Sequence, residues 1–406
     1  MIFTQWKYFT TAFLLFMSFT VDAQKKITNQ SESKYDFKKI VHLDATPVQS
    51  QGYTGTCWSF SALSFFESEM KRKGIKNPPL LSEMFVARMA YEGKAEKFIR
   101  MDGKINFDQG GAFHDIAWVF ENYGMLPTAV YNGINYGKEE HHHKELFAGL
   151  EGYMKGLLHF VENKGSLPLT PNWKMALKGI LDAYFGEVPE TFVHEGVEYT
   201  PKSFAASTGL KMDDYVSVTS FLHLPMHKRV QLAIPDNWLW GNSYNVTMDE
   251  MVELTKVALK AGYTVAWGAD VSEKGFNFRE GIAIVPKDLS TIQVKGKDNR
   301  NFSDAGAEKI SNAFMEPVEE LVITPEMRQI AYDNKTTTDD HGMHITGMYE
   351  ERNTGTTFFL VKNSWGKGNY PEGYLYVSEH YFRYKTINVY LHKDGIANSI
   401  KEKLSL

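Results

Sequence analysis

The sequence predicts an α+β protein of two lobes, with helices early in the mature chain and strands late. Apolar residues recur at helical spacing after Cys57, Ser82 and Gly111. Three later segments between residues 344 and 378 are instead rich in aromatic and β-branched residues and are separated by Asn and Gly turns. Because helices and strands that are segregated along a chain pack as separate layers, we expect a cleft between a helical lobe and a β-rich lobe.

Residues 1–23 have the pattern of a cleaved secretory signal peptide. Basic Lys7 precedes a short apolar run, and the small-x-small sequence that ends at Ala23 suits cleavage there. The run is too short for a membrane span, and Gln24 at the new terminus argues against a lipid anchor. We expect a secreted or periplasmic protein with no integral membrane segment after cleavage. The alternative is a buried N-terminal helix.

The composition is that of an ordinary soluble globular protein. Hydrophobic residues make up 43% of the 406 residues, charged residues 23%, and the net charge is −5. The sequence has no basic stripe of the kind that would indicate a nucleic-acid partner. The histidines of segment 139–145 are contiguous, which rarely produces a closed metal site, so a solvated loop is favoured there. Neither a metal nor a cofactor is predicted.

The secondary structure expected along the mature chain follows the same spacing. A polar extended arm covers residues 24–45, and helices run from Cys57 to Gly74, from Ser82 to Gly93 and from Gly111 to Gly124. The middle, residues 131–290, is mixed but mostly helical. It is predicted to contain helices 144–161, 173–184 and 248–261 and strands 264–267 and 281–285.

Cys57 is the sole cysteine of the chain and follows a Gly-rich turn that contains Gln51. A structural cysteine outside the cytosol is normally paired, so an unpaired one is either a buried apolar residue or a reactive thiol. A helix that begins at Cys57 would favour the thiolate, the nucleophilic form. The Gln51 amide, together with the Cys57 N–H, would form an oxyanion hole.

The partners of this thiol are expected on the β-rich lobe. Two histidines, His341 and His344, are candidates for the base, and the residues alone do not choose between them. Asn363 stands at a strand end, where its carbonyl oxygen can orient a histidine ring, and Trp365 can shield that bond from water. Taken singly, each residue also fits a structural role as an inert core cysteine or a turn asparagine.

At these residues the sequence resembles the papain-like cysteine peptidases. The shared motifs are Gln51 with Gly55-Thr-Cys57-Trp58, a His-Gly-Met segment, and Lys362-Asn-Ser-Trp-Gly366. Thr54 replaces the cysteine of the family's first disulfide. His341 and Asn363 follow Cys57 by almost three hundred residues, whereas papain has about 130–150.

In both departures the sequence resembles one branch of that family, the bleomycin hydrolase and aminopeptidase C group. The resemblance covers residues 45–390. This branch lacks those disulfides and carries a long helical insertion. Further segments that resemble it are 81–85, Gly110-Gly111, 123–127, 245–249 and 265–271.

The resemblance implies a role for each candidate residue. Asp340-His341-Gly342-Met343 matches the branch's pattern around its base, which selects His341 and leaves His344 structural. Cys57, His341 and Asn363 would form the catalytic triad, with Gln51 and the Cys57 N–H at the oxyanion. The substrate-binding set would be Gly110 and Gly111 at the non-primed subsites, with Asp340, Trp365 and Leu406.

The same resemblance divides the chain into domains. It implies a helical catalytic lobe at 46–130, a mostly helical insertion at 131–290, a β-barrel-like lobe at 291–390 and a tail at 391–406. In the branch the C-terminus lies in the cleft and its carboxylate captures the substrate's α-amine, which would make Leu406 an aminopeptidase determinant. The alternative for this tail is a surface helix over Ser399–Leu404.

The expected function is a thiol-dependent aminopeptidase that cleaves peptide substrates through a thioester. Two alternatives stay open: a secreted papain-like endopeptidase, and a papain-fold binding protein that has lost catalysis. The branch often forms rings of six, so a homo-oligomer is an expectation that the diverged insertion leaves open.

Overall fold

A computed structural model of the chain describes residues 26–162, 168–295 and 308–406. The predicted signal peptide, residues 1–23, lies outside the described residues. The described helices are α1 Cys57–Arg72, α2 Glu83–Arg100, α3 Phe113–Asn122, α4 Lys144–Glu162, α5 Asn172–Phe185, α6 Pro201–Ser207, α7 Met248–Lys260, α8 Pro325–Asp333, α9 Glu379–Lys385 and α10 Asn398–Leu404.

Most of the described strands belong to one mixed sheet. In chain order the strands are β1 Phe37–His42, β2 Phe192–His194, β3 Val197–Tyr199, β4 Tyr215–Thr219, β5 Lys228–Gln231, β6 Asn242–Asn245, β7 Val265–Ala269, β8 Phe276–Asn277, β9 Ile282–Ala283, β10 Gln293–Lys295, β11 Glu308–Ile310, β12 His341–Glu351, β13 Thr357–Lys362, β14 Tyr374–Ser378 and β15 Thr386–His392. The large sheet has the order β5-β6-β4-β15-β7-β12-β13-β14-β9-β8, with β1 added on β12.

Strand β12 lies at the centre of this sheet and carries helix α1 on one face. Its first half pairs with β7, its second half pairs with β1, and β13 runs along most of its length. Gly342 permits the close approach of α1, because a Cβ there would lie 2.6 Å from Ser61 Oγ and 3.1 Å from the Trp58 Cα. One apolar core lies among α1–α5, and a second lies between the sheet and α7, α9 and α10.

Helix α2 continues seven residues beyond its predicted end at Gly93. The rings of Trp118 and Trp238 pack against the bare face of Gly93, where a Cβ would approach them to 2.6 and 2.7 Å. The glycine therefore marks a site of close packing, and the prediction that it ends the helix was wrong.

The sheet extends further into the middle of the chain than the sequence pattern indicates. The predicted helices of this region are present as α4, α5 and α7, but β4, β5 and β6 join the main sheet beside β15. Residues 37–42, expected to belong to a surface arm, form β1 against β12. One end of the sheet and the strand added on β12 therefore use segments whose strand character was not expected.

The tail folds as helix α10, the second of the two alternatives for this segment. Ile400 and Leu404 are buried in the core that α10 shares with α7, and Lys403 Nζ lies 2.6 Å from Glu250 Oε1. Leu406 follows at the surface. Within the described ranges, none of the helices has the length and apolar character needed to cross a membrane.

Candidate active site

Cys57 is the first residue of α1 and is buried at its N-terminus. The N–H groups of the first helical turn have no partners within the helix, so they face the thiol with positive partial charge. Gln109 holds the preceding turn in place: its Oε1 accepts from the Gly55 N–H at 2.8 Å, and its carbonyl accepts from Trp58 Nε1 at 3.0 Å. The sequence thus fixes the cysteine at a rigid turn-to-helix junction.

His341 and Asn363 form a direct side-chain pair. His341 begins β12, Asn363 follows β13, and the His341 Nε2 lies 2.7 Å from Asn363 Oδ1. Because the amide oxygen can only accept, Nε2 carries the proton and Nδ1 is left as the basic nitrogen. The Trp365 ring lies 4.6 Å from the His341 ring, centroid to centroid, which screens the pair from solvent.

Cys57 and His341 line the same cavity, between α1 and the sheet. Burial raises the pKa of the Cys57 thiol to about 12, while hydrogen bonds from the Gly342 and Trp58 N–H groups act in the opposite direction. Burial lowers the pKa of His341 to about 4, against the effects of Asn363 and Asp340. Both shifts favour the neutral thiol and the neutral imidazole, and a neutral His341 is available as a base.

The Gln51 side chain is fully buried beside this junction. Its Nε2 donates to the Thr54 carbonyl at 2.7 Å, and its Oε1 accepts from Ser364 Oγ at 2.7 Å. Its backbone N–H donates to the Ser364 carbonyl at 2.9 Å, which ties the cysteine turn to the asparagine loop. An amide has two N–H donors, so one remains for another acceptor. Gln51 does not line the cavity itself.

The predicted substrate-binding residues have different surroundings. Gly111 and Asp340 line the cavity, but the Asp340 carboxylate already accepts from Thr338 Oγ1 at 2.7 Å and from the Ser272 N–H at 3.3 Å. Trp365 packs on His341 and is not a lining residue.

Two members of the predicted set are not brought to the cavity. A Cβ at Gly110 would overlap the carboxylate of Asp236, so the insertion covers the glycine that was expected to face substrate. Leu406 lies beyond α10 and is absent from the cavity lining. The tail packs on α7 because Ile400 and Leu404 are apolar and bury there.

Three polar lining residues were not found from the sequence: Asp236, Asp339 and Asn388. Asp339 adjoins the Asp340-His341 motif, and this was the one available signal. Asp236 comes from a loop of the insertion and Asn388 from β15, and only the tertiary packing brings them to Cys57.

The fold is that of the papain-like cysteine peptidases. It is similar to the crystal structure of PepW from Lactobacillus rhamnosis HN001, with a TM-score of 0.67 over 91% of this chain and 84% of that one, at 19% identity. A model of the Peptidase C1-like family matches residues 322–406, which contain His341 and Asn363.

The sequences of curated relatives align with most of this chain. Aminopeptidase C of Lactococcus lactis subsp. cremoris is 22% identical, covering 87% of this chain and 82% of that protein. Bleomycin hydrolase of Mus musculus is 21% identical, covering 91% and 85%. Together these findings make the chain similar to aminopeptidase C and to bleomycin hydrolase over most of its length, with the C-terminal part matching the Peptidase C1-like family.

Proposed function

We propose that this protein is a cysteine aminopeptidase with Cys57 as nucleophile, His341 as base and Asn363 as the residue that orients His341. Two observations carry the proposal: His341 and Cys57 line the same cavity, and His341 Nε2 lies 2.7 Å from Asn363 Oδ1. The names of the relatives, aminopeptidase C and bleomycin hydrolase, support the reaction class.

The chemistry follows from the neutral state of both groups. As the sulfur of Cys57 attacks the scissile carbonyl, Nδ1 of His341 takes the thiol proton, which avoids formation of a bare buried thiolate. The same proton passes to the leaving amine, whose C–N bond breaks to give a thioester. Water then attacks the thioester carbonyl while His341 takes a proton from it. The C–S bond breaks, the carboxylic acid leaves, and His341 returns the proton to the sulfur of Cys57.

The oxyanion of each tetrahedral intermediate needs two donors. The Cys57 N–H at the start of α1 is one, and the second N–H of the Gln51 amide is the other. Gln51 is held by Thr54 and Ser364, so its position does not depend on substrate. Preorganised donors of this kind typically contribute 10²–10³-fold to the rate.

The test is hydrolysis of aminoacyl-coumarin substrates with a free or an acetylated α-amine, combined with iodoacetamide labelling. We expect rapid labelling of Cys57, turnover that prefers the free amine, and loss of both in Cys57→Ala. The control variant Asp394→Asn changes an exposed carboxylate and should leave turnover unaltered. Labelling no faster than that of a free thiol would contradict the nucleophile, and the binding-protein alternative would then stand.

An endopeptidase is the second candidate, and one observation favours it. Leu406, the expected capture point for a substrate amine, is not at the cavity. A preference for the acetylated substrate in the same assay would select the endopeptidase.

A further inference from the structure

The non-primed side of the cavity is closed by the insertion. The loop 232–241 brings Ile234 and Asp236 to the cavity, and the Asp236 carboxylate lies against the bare face of Gly110. Asn106 Nδ2 donates to Asp236 Oδ1 at 3.1 Å and holds the carboxylate there. A substrate backbone that ran past Gly110 would collide with this loop, so the cleft ends close to Cys57.

The cavity that remains is small. Water can occupy about 20 Å³ of it, which is room for about one water molecule. An ammonium group has nearly the size of a water molecule, whereas a further peptide unit does not fit. The α-nitrogen of a substrate's first residue lies only about 2.5 Å from its carbonyl carbon. A carbonyl placed at Cys57 would therefore bring its own α-nitrogen to the start of this cavity.

The polar lining of the cavity consists mainly of acceptors. Within the described ranges, no side chain or backbone group donates a hydrogen bond to Asp339, and no cationic side chain lines the cavity. Asn388 is 7% exposed and its Nδ2 donates to Ser217 Oγ at 3.0 Å. Its Oδ1 faces the bare Cα of Gly268, another lining residue, and receives no hydrogen bond from the described part of the chain.

Asp236 and Asp339 are partly buried and Asn388 is buried, so acceptors at this cavity that receive no donor from the described chain are open to the donors of a ligand. A substrate ammonium has three N–H donors and a positive charge, which matches two acidic side chains and one amide oxygen. Burial raises the pKa of Asp236 to about 6 and that of Asp339 well above its usual value, and a bound cation would favour the ionised form of both. Lys94 is buried nearby, but both of its hydrogen bonds go to backbone carbonyls, those of Asp108 at 2.8 Å and of Gly110.

We propose that Asp236, Asp339 and the Asn388 amide oxygen bind the α-ammonium of the substrate and so make the enzyme an aminopeptidase. This inference rests on the proposed function, and it assigns the capture of the amine to the insertion loop and the His341 loop instead of Leu406.

The charges of these carboxylates also connect binding to reactivity. Asp236 and Asp339 both raise the pKa of the Cys57 thiol. A bound ammonium would offset their charge and make loss of the thiol proton easier. Substrates with a free amine should therefore have a higher kcat as well as a lower KM.

The experiment compares the parent enzyme with Asp236→Asn, Asp339→Asn, the double variant and the surface control Asp394→Asn. For each, kcat/KM is measured for an aminoacyl-coumarin with a free amine and for its acetylated form. A hydrogen bond to a charged group is commonly worth about tenfold or more in binding. We expect the free-to-acetylated ratio to fall about tenfold in each single variant and further in the double variant, with the control ratio unchanged.

Three results would overturn the inference. The first is a parent that prefers the free amine together with a double variant that keeps the same free-to-acetylated ratio of kcat/KM. This result would show that Asp236 and Asp339 do not bind the amine, and the proposed aminopeptidase activity would stand. Equal loss on both substrates would show a structural role, with iodoacetamide labelling of Cys57 reporting whether the site is still formed. A loss confined to acetylated peptides that carry lysine would assign the carboxylates to a side-chain ammonium. A parent that prefers the acetylated substrate would instead refute the proposed aminopeptidase itself.

Discussion

Two groups of polar side chains lie near the junction of α1 and β12, and they differ in how their charged and acceptor groups are hydrogen-bonded. The catalytic cavity, lined by Cys57, His341, Asp236, Asp339 and Asn388, contains acceptors that no described group satisfies. The interior polar cluster consists of Thr46, Ser64, Glu67, Glu83, His344 and Lys362. Here Lys362 and Glu67 are hydrogen-bonded within the protein, whereas His344 Nε2 is buried without a partner among the described residues.

Lys362 shows how the interior polar cluster is satisfied. Its Nζ donates to Ser64 Oγ at 2.7 Å and to Thr46 Oγ1 at 3.2 Å, and Thr46 in turn donates to Glu67. Ser64 Oγ also contacts His344 Nδ1 at 2.9 Å. The comparison teaches that Lys362 and Glu67, whose bonds stay within the protein, suit a role in folding, whereas Asp339 and the Asn388 amide oxygen, which receive no donor from the described chain, suit a ligand.

The largest expected effect separates the two histidines of β12. His341→Ala should lower kcat/KM by 10³-fold or more, since it removes the base, whereas His344→Ala should keep turnover within severalfold for each folded molecule. His344→Ala loses the contact with Ser64 and leaves a cavity, at a cost of about 2 kcal/mol in stability. Steady-state kinetics and urea unfolding measure the two effects. Loss of turnover in the His344 variant alone would reverse the assignment of the base.

Lys362→Met tests whether the interior polar cluster serves folding. Removing the cation leaves Glu67 buried without its compensating charge, so we expect a loss of about 3 kcal/mol in the free energy of unfolding. Lys362→Met combined with Glu67→Gln should recover part of that loss, because no uncompensated charge remains. Urea denaturation of both variants gives the comparison. Equal stability of the single variant and the parent would show that the cluster is not a folding element.

Glu83 adds a pH dependence to the same cluster. Burial raises its pKa to about 8, with Glu67 acting in the same direction. Between its usual pKa of 4.5 and about 8 the folded state binds more protons than the unfolded state, so this group lowers stability as pH rises through that window. Glu83→Gln should remove a slope of at most about 1.4 kcal/mol per pH unit. Urea unfolding of parent and variant at pH 5 and pH 8 measures it, and parallel pH profiles would contradict the prediction.

The two regions also differ in how far the sequence predicts them. Cys57 at a helix start and the Asn363 loop lie in short contiguous motifs, so local pattern was enough to propose them. The strand character of 215–219 was missed, although Tyr215, Ser217 and their neighbours are largely buried in the sheet beside β15. Asp236 and Asn388 reach the cavity through packing between distant segments, and nothing in their own neighbourhood marks them.

Removal of Ser405 and Leu406 has the smallest expected effect and decides which part of the chain receives the substrate amine. The two residues follow α10 and contribute nothing to the cavity lining, so the free-to-acetylated ratio of kcat/KM should stay within twofold of the parent. The truncation should stop there, because Leu404 and Ile400 are buried against α7 and their loss would destabilise the fold. A tenfold fall in this ratio after truncation, together with unchanged ratios in Asp236→Asn and Asp339→Asn, would assign binding of the substrate amine to Leu406. The unsatisfied acceptors of the catalytic cavity would then need another ligand.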